Sequence, residues 1–265
     1  MSKKIFFLTL LIIIIIIILL YESYTSLEFK SFKSETSSIK EVHDLLAKIE
    51  QDEKVNIICV GDSITAGESS DPMNPSTVSY PEYLQVLLRK YYGNEGVYVF
   101  NSGKSDNITS QMAAAWNDRV LIYNPDLIIF MGGTNDARPV KKVSLKEYES
   151  SLKKVISLSG DTPIIILSIT PRYKKKLFGS GNFSIHFYRR VCKKIASQQN
   201  IMYVDMFKIL KSLYKSRRLI RKDLSPDGSH YTTDGYKYIA EIVFKEVFTN
   251  KAIEKQVKSD LIAYW

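Results

Sequence analysis

The sequence predicts an α/β fold, a doubly wound parallel sheet of about five strands preceded by an N-terminal hydrophobic helix. Three observations predict it. After Lys54, short runs rich in Ile and Val alternate with stretches of helical periodicity, the order that successive βαβ units produce. Each run ends in or is followed by Gly, Asp, Asn, Ser or Thr, which is how short strands buried on both faces of a parallel sheet read. Ahead of them, Ile5 to Leu20 is a sixteen-residue stretch interrupted only by Thr9, too continuously apolar for an amphipathic surface helix.

The elements follow in order. Residues 1–21 read as a signal anchor or signal peptide, with Lys3 and Lys4 directly before the apolar stretch. As a helix that stretch would extend about 24 Å at roughly 1.5 Å per residue, close to a hydrocarbon core of about 27–30 Å. Tyr21 to Ser26 contains no pair of small residues suited to signal cleavage, which favours an uncleaved anchor. The lysines then put the N-terminus in the cytoplasm and the remainder outside, or the chain is secreted if the segment is removed. Residues 22–54 read as a juxtamembrane spacer ending in a short helix from Ile39 to Ile49, in which Val42, Leu45, Leu46 and Ile49 recur at helical spacing. The folded domain is assigned to 55–249, and 250–265 is a C-terminal tail. Its strands are expected at Val55–Val60, Val97–Phe100, Leu127–Met131, Pro163–Ser168 and Ile201–Val204. Its helices are expected at Pro81–Tyr91, Thr109–Ile122, Leu145–Leu158, Phe183–Ser197 and Thr233–Phe248.

Composition excludes several classes. With 45% hydrophobic and 25% charged residues, the chain has the apolar material for a core and is neither collagenous, coiled-coil nor disordered. Cys59 and Cys192 both sit in apolar or helical patterns without metal-ligand spacing, so two separate buried thiols are expected and no metal or cofactor. The net charge of +9 is uneven: Arg172 to Lys222 holds 15 Lys/Arg against the single acid Asp205. Such a segment suits an anionic surface as partner, and it equally describes solvated helix faces. An N-terminus that leads out of the cytoplasm makes nucleic acid an unexpected partner.

In open α/β sheets ligands bind beyond the carboxyl ends of the strands, so chemistry is expected in the loops there. After the first strand come Gly61, Asp62, Ser63, Ile64, Thr65 and Gly67. Asn101, Ser102 and Gly103 follow the second, and Gly132, Gly133, Thr134, Asn135 and Asp136 the third. Near the end stand Asp227, Gly228, Ser229 and His230. A serine hydroxyl needs a base as it attacks, and imidazole is the side chain suited to that near neutrality. Asp227, three residues before His230, can hold one ring nitrogen and fix the tautomer. His43 and His186 have no such partner motif and read as surface or packing residues.

From Val55 to Phe248 the four blocks, in this order, resemble the SGNH hydrolase family, also called the GDSL-type esterases and lipases. The resemblance implies a flavodoxin-like sheet and a serine esterase working through an acyl-enzyme, without metal. It implies Ser63, Asp227 and His230 as catalytic residues, and the amides of Ser63 and Gly103 with the side chain of Asn135 as the oxyanion hole. The substrate would be an ester, either an O-acyl or O-acetyl group on a surface glycan or the acyl chain of a lysophospholipid, and acyl transfer is a further alternative. A non-catalytic module that binds polyanions is the rival from another class.

Each block also fits a structural role. Ser63 could cap a helix, Asn135 and Asp136 could be turn or cap residues, and Asp227 to His230 could form an Asx turn. Asp106 stands where family members often carry a second glycine, and Ser63 lacks the Gly-x-Ser-x-Gly context of the other large hydrolase fold. The stretch Glu68 to Ser79 and the basic segment after Pro171 are expected to form the rim of the site. Asn107 and Asn182 begin Asn-x-Ser/Thr sequons.

Overall fold

The structure is a computed structural model, and it describes residues 41–70, 78–173, 183–216 and 224–249. Five parallel strands lie in the order β2-β1-β3-β4-β5: β1 is Val55–Gly61, β2 Val97–Gly103, β3 Leu127–Met131, β4 Ile164–Leu167 and β5 Tyr203–Val204. This is the doubly wound, flavodoxin-like order expected of the sequence. The direction of winding reverses between β2 and β3, on either side of β1, and that reversal opens the crevice where such folds bind ligands.

Alternate side chains of the strands feed two cores. Ile57, Cys59, Leu127, Ile129, Ile165 and Leu167 enter one, while Ile58, Val60, Ile128, Phe130, Ile164 and Ile166 enter the other. A period of two with both faces buried is why these strands read as unbroken apolar runs. The first core is closed by helix 41–50 (α1), Tyr80–Tyr92 (α3), Met206–Ser216 (α8) and Thr233–Phe248 (α9). The second is closed by Thr109–Ala114 (α4), Trp116–Arg119 (α5), Leu145–Leu158 (α6) and Phe183–Gln198 (α7). A one-turn helix, Ser63–Ala66 (α2), follows β1.

Several boundaries differ from expectation. Val42, Leu45, Leu46 and Ile49 are buried in the first core, so α1 belongs to the folded domain, which begins before Val55. Strand β2 runs on to Gly103, because Asn101, Ser102 and Gly103 stay in register with Cys59, Val60 and Gly61; the ladder overrides their turn-like composition. The helix expected from Thr109 to Ile122 is broken at Ala115 (φ −96°, ψ 15°), and Leu121–Tyr123 is a 3-10 turn. Helix α8 was not anticipated; it buries Met206, Phe207 and Leu210. Cys59 and Cys192 are separate buried thiols.

Among the described residues no helix is long and apolar enough to cross a membrane. The apolar stretch Ile5 to Leu20, the C-terminal tail and Asn182 lie outside the described residues. The basic segment is described in part: Arg190, Lys193, Lys194, Lys208 and Lys211 are exposed, whereas Arg189 is paired with Asp205.

Candidate active site

The position of Ser63 is fixed by local chain geometry. At the end of β1, Asp62 is extended (φ −95°, ψ −151°) and its Oδ1 accepts the Ile64 amide at 3.0 Å, capping α2. Gly67 closes that turn in the left-handed region (φ 88°), donating its amide to the Ser63 carbonyl at 3.1 Å. Ser63 is therefore the first residue of a helix pinned at both ends. Asp62 is fully buried, and burial pushes its carboxyl up to about 6, against the opposing pull of the Ile64 amide and the Thr134 hydroxyl.

The imidazole arrives from the other end of the chain. Asp227 Oδ1 accepts the amides of Ser229 at 2.7 Å and His230 at 2.8 Å, an Asx turn in which Gly228 takes φ 78°. The other oxygen, Oδ2, lies 2.8 Å from His230 Nδ1. His230 Nε2 is 3.1 Å from Ser63 Oγ. Asp227 thus serves as turn-former and imidazole partner at once. A second carboxylate, Glu68 Oε2, also stands 3.1 Å from Nε2. Ser69 bridges Tyr231, and the Ser70 amide donates to the Tyr231 carbonyl at 3.3 Å, so the segment carrying Glu68 is tied to the histidine's own.

On the opposite side, the buried Asn135 donates Nδ2 to the Asn107 carbonyl at 3.0 Å, and its Oδ1 accepts Arg138 Nη1 at 3.3 Å. These contacts fix which end of the amide is nitrogen. One of its two N–H hydrogens serves Asn107, and a primary amide has a second. The Gly103 amide, expected as an oxyanion donor, is instead engaged by Asn101 Oδ1 at 2.8 Å. The absence of a side chain at Gly103 matters differently: a Cβ there would fall 2.1 Å from the Ala66 amide nitrogen, so glycine lets the end of β2 lie against α2. Asp106 adopts φ 61°, the left-handed conformation a glycine would take. Its carboxylate is gripped by Arg138, at 2.7 Å, and Lys141, and the Lys141 bond holds it below the usual carboxylate range. Asp136 is a buried cap: its carboxylate accepts the Thr109 amide and hydroxyl, both at 3.1 Å.

Ser63, Asp227, His230 and Asn135 therefore converge at the carboxyl ends of β1 and β3, and Gly103 lies beside them with its amide committed. Sequence reasoning placed Glu68 at the rim without foreseeing its contact with His230, and it missed Arg138, whose local context carries no chemical spacing. His43 is exposed, and His186 packs its ring against Phe207, the centroids 4.9 Å apart.

A serine against an imidazole that a carboxylate orients, at the crevice of a parallel sheet, defines a serine hydrolase of the α/β class. The chain belongs to the GDSL-like lipase/acylhydrolase family, whose model matches residues 59–238. It is similar to an acetylxylan esterase of Geobacillus stearothermophilus, 28% identical over 214 residues that cover 72% of this chain and 93% of the relative. A crystal structure of an acetylxylan esterase from that organism superposes with a TM-score of 0.63 at 25% identity, covering 74% of this chain and 95% of the other. A multidomain esterase of Ruminococcus flavefaciens is 23% identical over 229 residues, 73% of this chain and 28% of that protein. The activity these likenesses support is carboxylic ester hydrolysis.

Proposed function

We propose that the protein is an extracytoplasmic esterase that removes O-acyl groups, chiefly acetyl, from a surface glycan, with Ser63 as nucleophile, His230 as base and Asp227 as its orienting partner. The observation that carries this reading is the unbroken relay from Asp227 Oδ2 through His230 to Ser63 Oγ, at 2.8 and 3.1 Å. Acetylated glycan as substrate is supported by the acetylxylan esterases among the relatives. One solved variant of such an esterase is described as a catalytic mutant and replaces a histidine with alanine. The outside location is supported by Lys3, Lys4 and the apolar run behind them.

In the mechanism, Ser63 Oγ forms a bond to the ester carbonyl carbon as its proton passes to His230 Nε2. The carbonyl electron pair moves onto oxygen. That oxyanion is held by the Ser63 amide and the second Asn135 N–H; the Gly103 amide is left out because Asn101 occupies it. Each such donor is worth about 2.7–4 kcal/mol of barrier. Collapse breaks the bond to the alcohol oxygen, which takes the proton back from Nε2 and leaves acyl-Ser63. Water then attacks the acyl carbon, again giving its proton to Nε2, and the second collapse returns Ser63 and a carboxylic acid. Asp227 stays ionised throughout, holding Nδ1–H.

The test is hydrolysis of acetylated xylan and of a long-chain lysophospholipid by the full-length chain in mild detergent, wild type beside Ser63→Ala. Acetate release that disappears with Ser63 is the expected result. Equal hydrolysis by the two proteins refutes the mechanism, and a preference for the long acyl chain refutes the glycan substrate.

A further inference from the structure

We propose that Glu68 is a specificity-determining residue that selects esters whose alcohol carries a free hydroxyl on the neighbouring carbon, as in a partly acetylated sugar. This rests on the reading of Ser63 and His230 as nucleophile and base. The geometry that points to it is the position of Glu68 Oε2, 3.1 Å from the same ring nitrogen that faces Ser63 Oγ at 3.1 Å. A carboxylate only accepts hydrogen bonds, and an imidazole ready to act as base presents a lone pair at that nitrogen. Two acceptors then face each other across 3.1 Å, and the single Ser63 hydroxyl proton is directed to the histidine. The half-exposed carboxylate is thus open to a donor from outside the protein.

The leaving alcohol must come within reach of Nε2, because that nitrogen returns the proton to it. A hydroxyl one carbon further along the alcohol is thereby brought to Glu68 and takes the place of solvent as its donor. An alkyl alcohol supplies none, and a phosphate there would meet a like charge.

The carboxylate is held for this work by its backbone. The Glu68 amide donates to the Ser63 carbonyl at 3.0 Å, and its own carbonyl accepts the Tyr236 hydroxyl at 2.6 Å. Its side chain is 41% exposed, open to a ligand, which moderates the selectivity relative to a sealed polar pocket. A hydrogen bond to a charged acceptor at such a site discriminates by roughly tenfold or somewhat more.

The test compares kcat/KM for the monoacetate of a vicinal cyclohexanediol with that for cyclohexyl acetate, using the full-length protein. Wild type should prefer the diol ester, and Glu68→Gln, which keeps the shape of the side chain, should lower that preference about tenfold. A preference that falls less than threefold in Glu68→Gln, or that wild type does not show, overturns the proposal. Circular dichroism checks that the variant is folded; if it is not, Glu68→Asp, which withdraws the carboxylate by one methylene, answers the same question by the same ratio. Ser63→Ala is run alongside: if it hydrolyses both esters, the underlying mechanism has failed and this proposal with it. If Ser63→Ala is inactive and the ratio in Glu68→Gln is unchanged, only the role of Glu68 has failed.

Discussion

Replacing Asp227 with Asn should remove nearly all activity without disturbing the turn, for a reason the contacts specify. Oδ1 of Asp227 accepts two backbone amides at 2.7 and 2.8 Å. In the variant, the side-chain oxygen must remain on those two donors, because the flipped amide would lose both bonds at about 1 kcal/mol each. The new NH2 then faces His230 Nδ1, 2.8 Å away at the position of Oδ2. Nδ1 is forced to accept, the ring proton moves to Nε2, and Ser63 meets a donor where it needs a base. The corresponding change in a serine protease lowers kcat about 10,000-fold, equivalent to about 5.4 kcal/mol at 1.36 kcal/mol per decade. Here the Asp227 side chain is 37% exposed and water can compete, so a loss of roughly 1,000- to 10,000-fold is expected. The assay is steady-state kcat on a soluble acetyl ester, with Asp227→Ala as the comparison. Alanine presents no donor and leaves the imidazole free to choose its tautomer, so it should retain more activity than asparagine. An asparagine variant that keeps over a tenth of wild-type kcat, or that exceeds the alanine variant, refutes the tautomer mechanism.

Asn135→Ala should lower kcat about 100- to 1,000-fold with little change in KM, and should shift the melting temperature only by the loss of the Asn107 and Arg138 contacts, about 1 kcal/mol each; loss of folding with no separate effect on rate would make Asn135 a structural cap. Asp62→Asn keeps an oxygen for the Ile64 amide and removes a buried charge. Because the folded carboxyl titrates at about 6 against about 3.9 when unfolded, the folded state binds the extra proton and wild-type stability falls as pH rises through that window, by on the order of 3 kcal/mol. The asparagine variant should therefore melt higher than wild type above pH ~6, with the gap closing towards pH ~4; a gap independent of pH in thermal melts would exclude the buried charge as its cause.

The sheet was legible because its strands are buried on both faces: Ile57 and Ile58 serve different cores, so no polar residue interrupts the run. The residues that meet at the crevice were legible because each block ends a strand or precedes the last helix, where local chemistry and fold coincide. What was not legible depends on contacts distant in sequence. Glu68 reads only as the start of the rim, five residues after Ser63, until the Ser69–Tyr231 bridge brings the histidine to it. Arg138 matters only through Asp106 and Asn135. The Gly103 amide is engaged for a local reason, since Asn101 stands two residues before it and its side chain closes an Asx-type contact. The left-handed Asp106 shows the reverse case: an unexpected residue type occupies the backbone shape its position requires, secured by two cations.

Ser63 and His230 meet across 167 positions of chain, and that separation makes their pairing a property of the assembled fold and of neither segment alone. The turn that carries Ser63 needs only β1 and α2, whereas His230 stands just ahead of Thr233–Phe248 and reaches Ser63 only when that part of the chain packs. A chain cut ahead of Asp227 would carry Ser63 without its imidazole partner. The pair is therefore assembled only when the helix Thr233–Phe248 has docked against the first core.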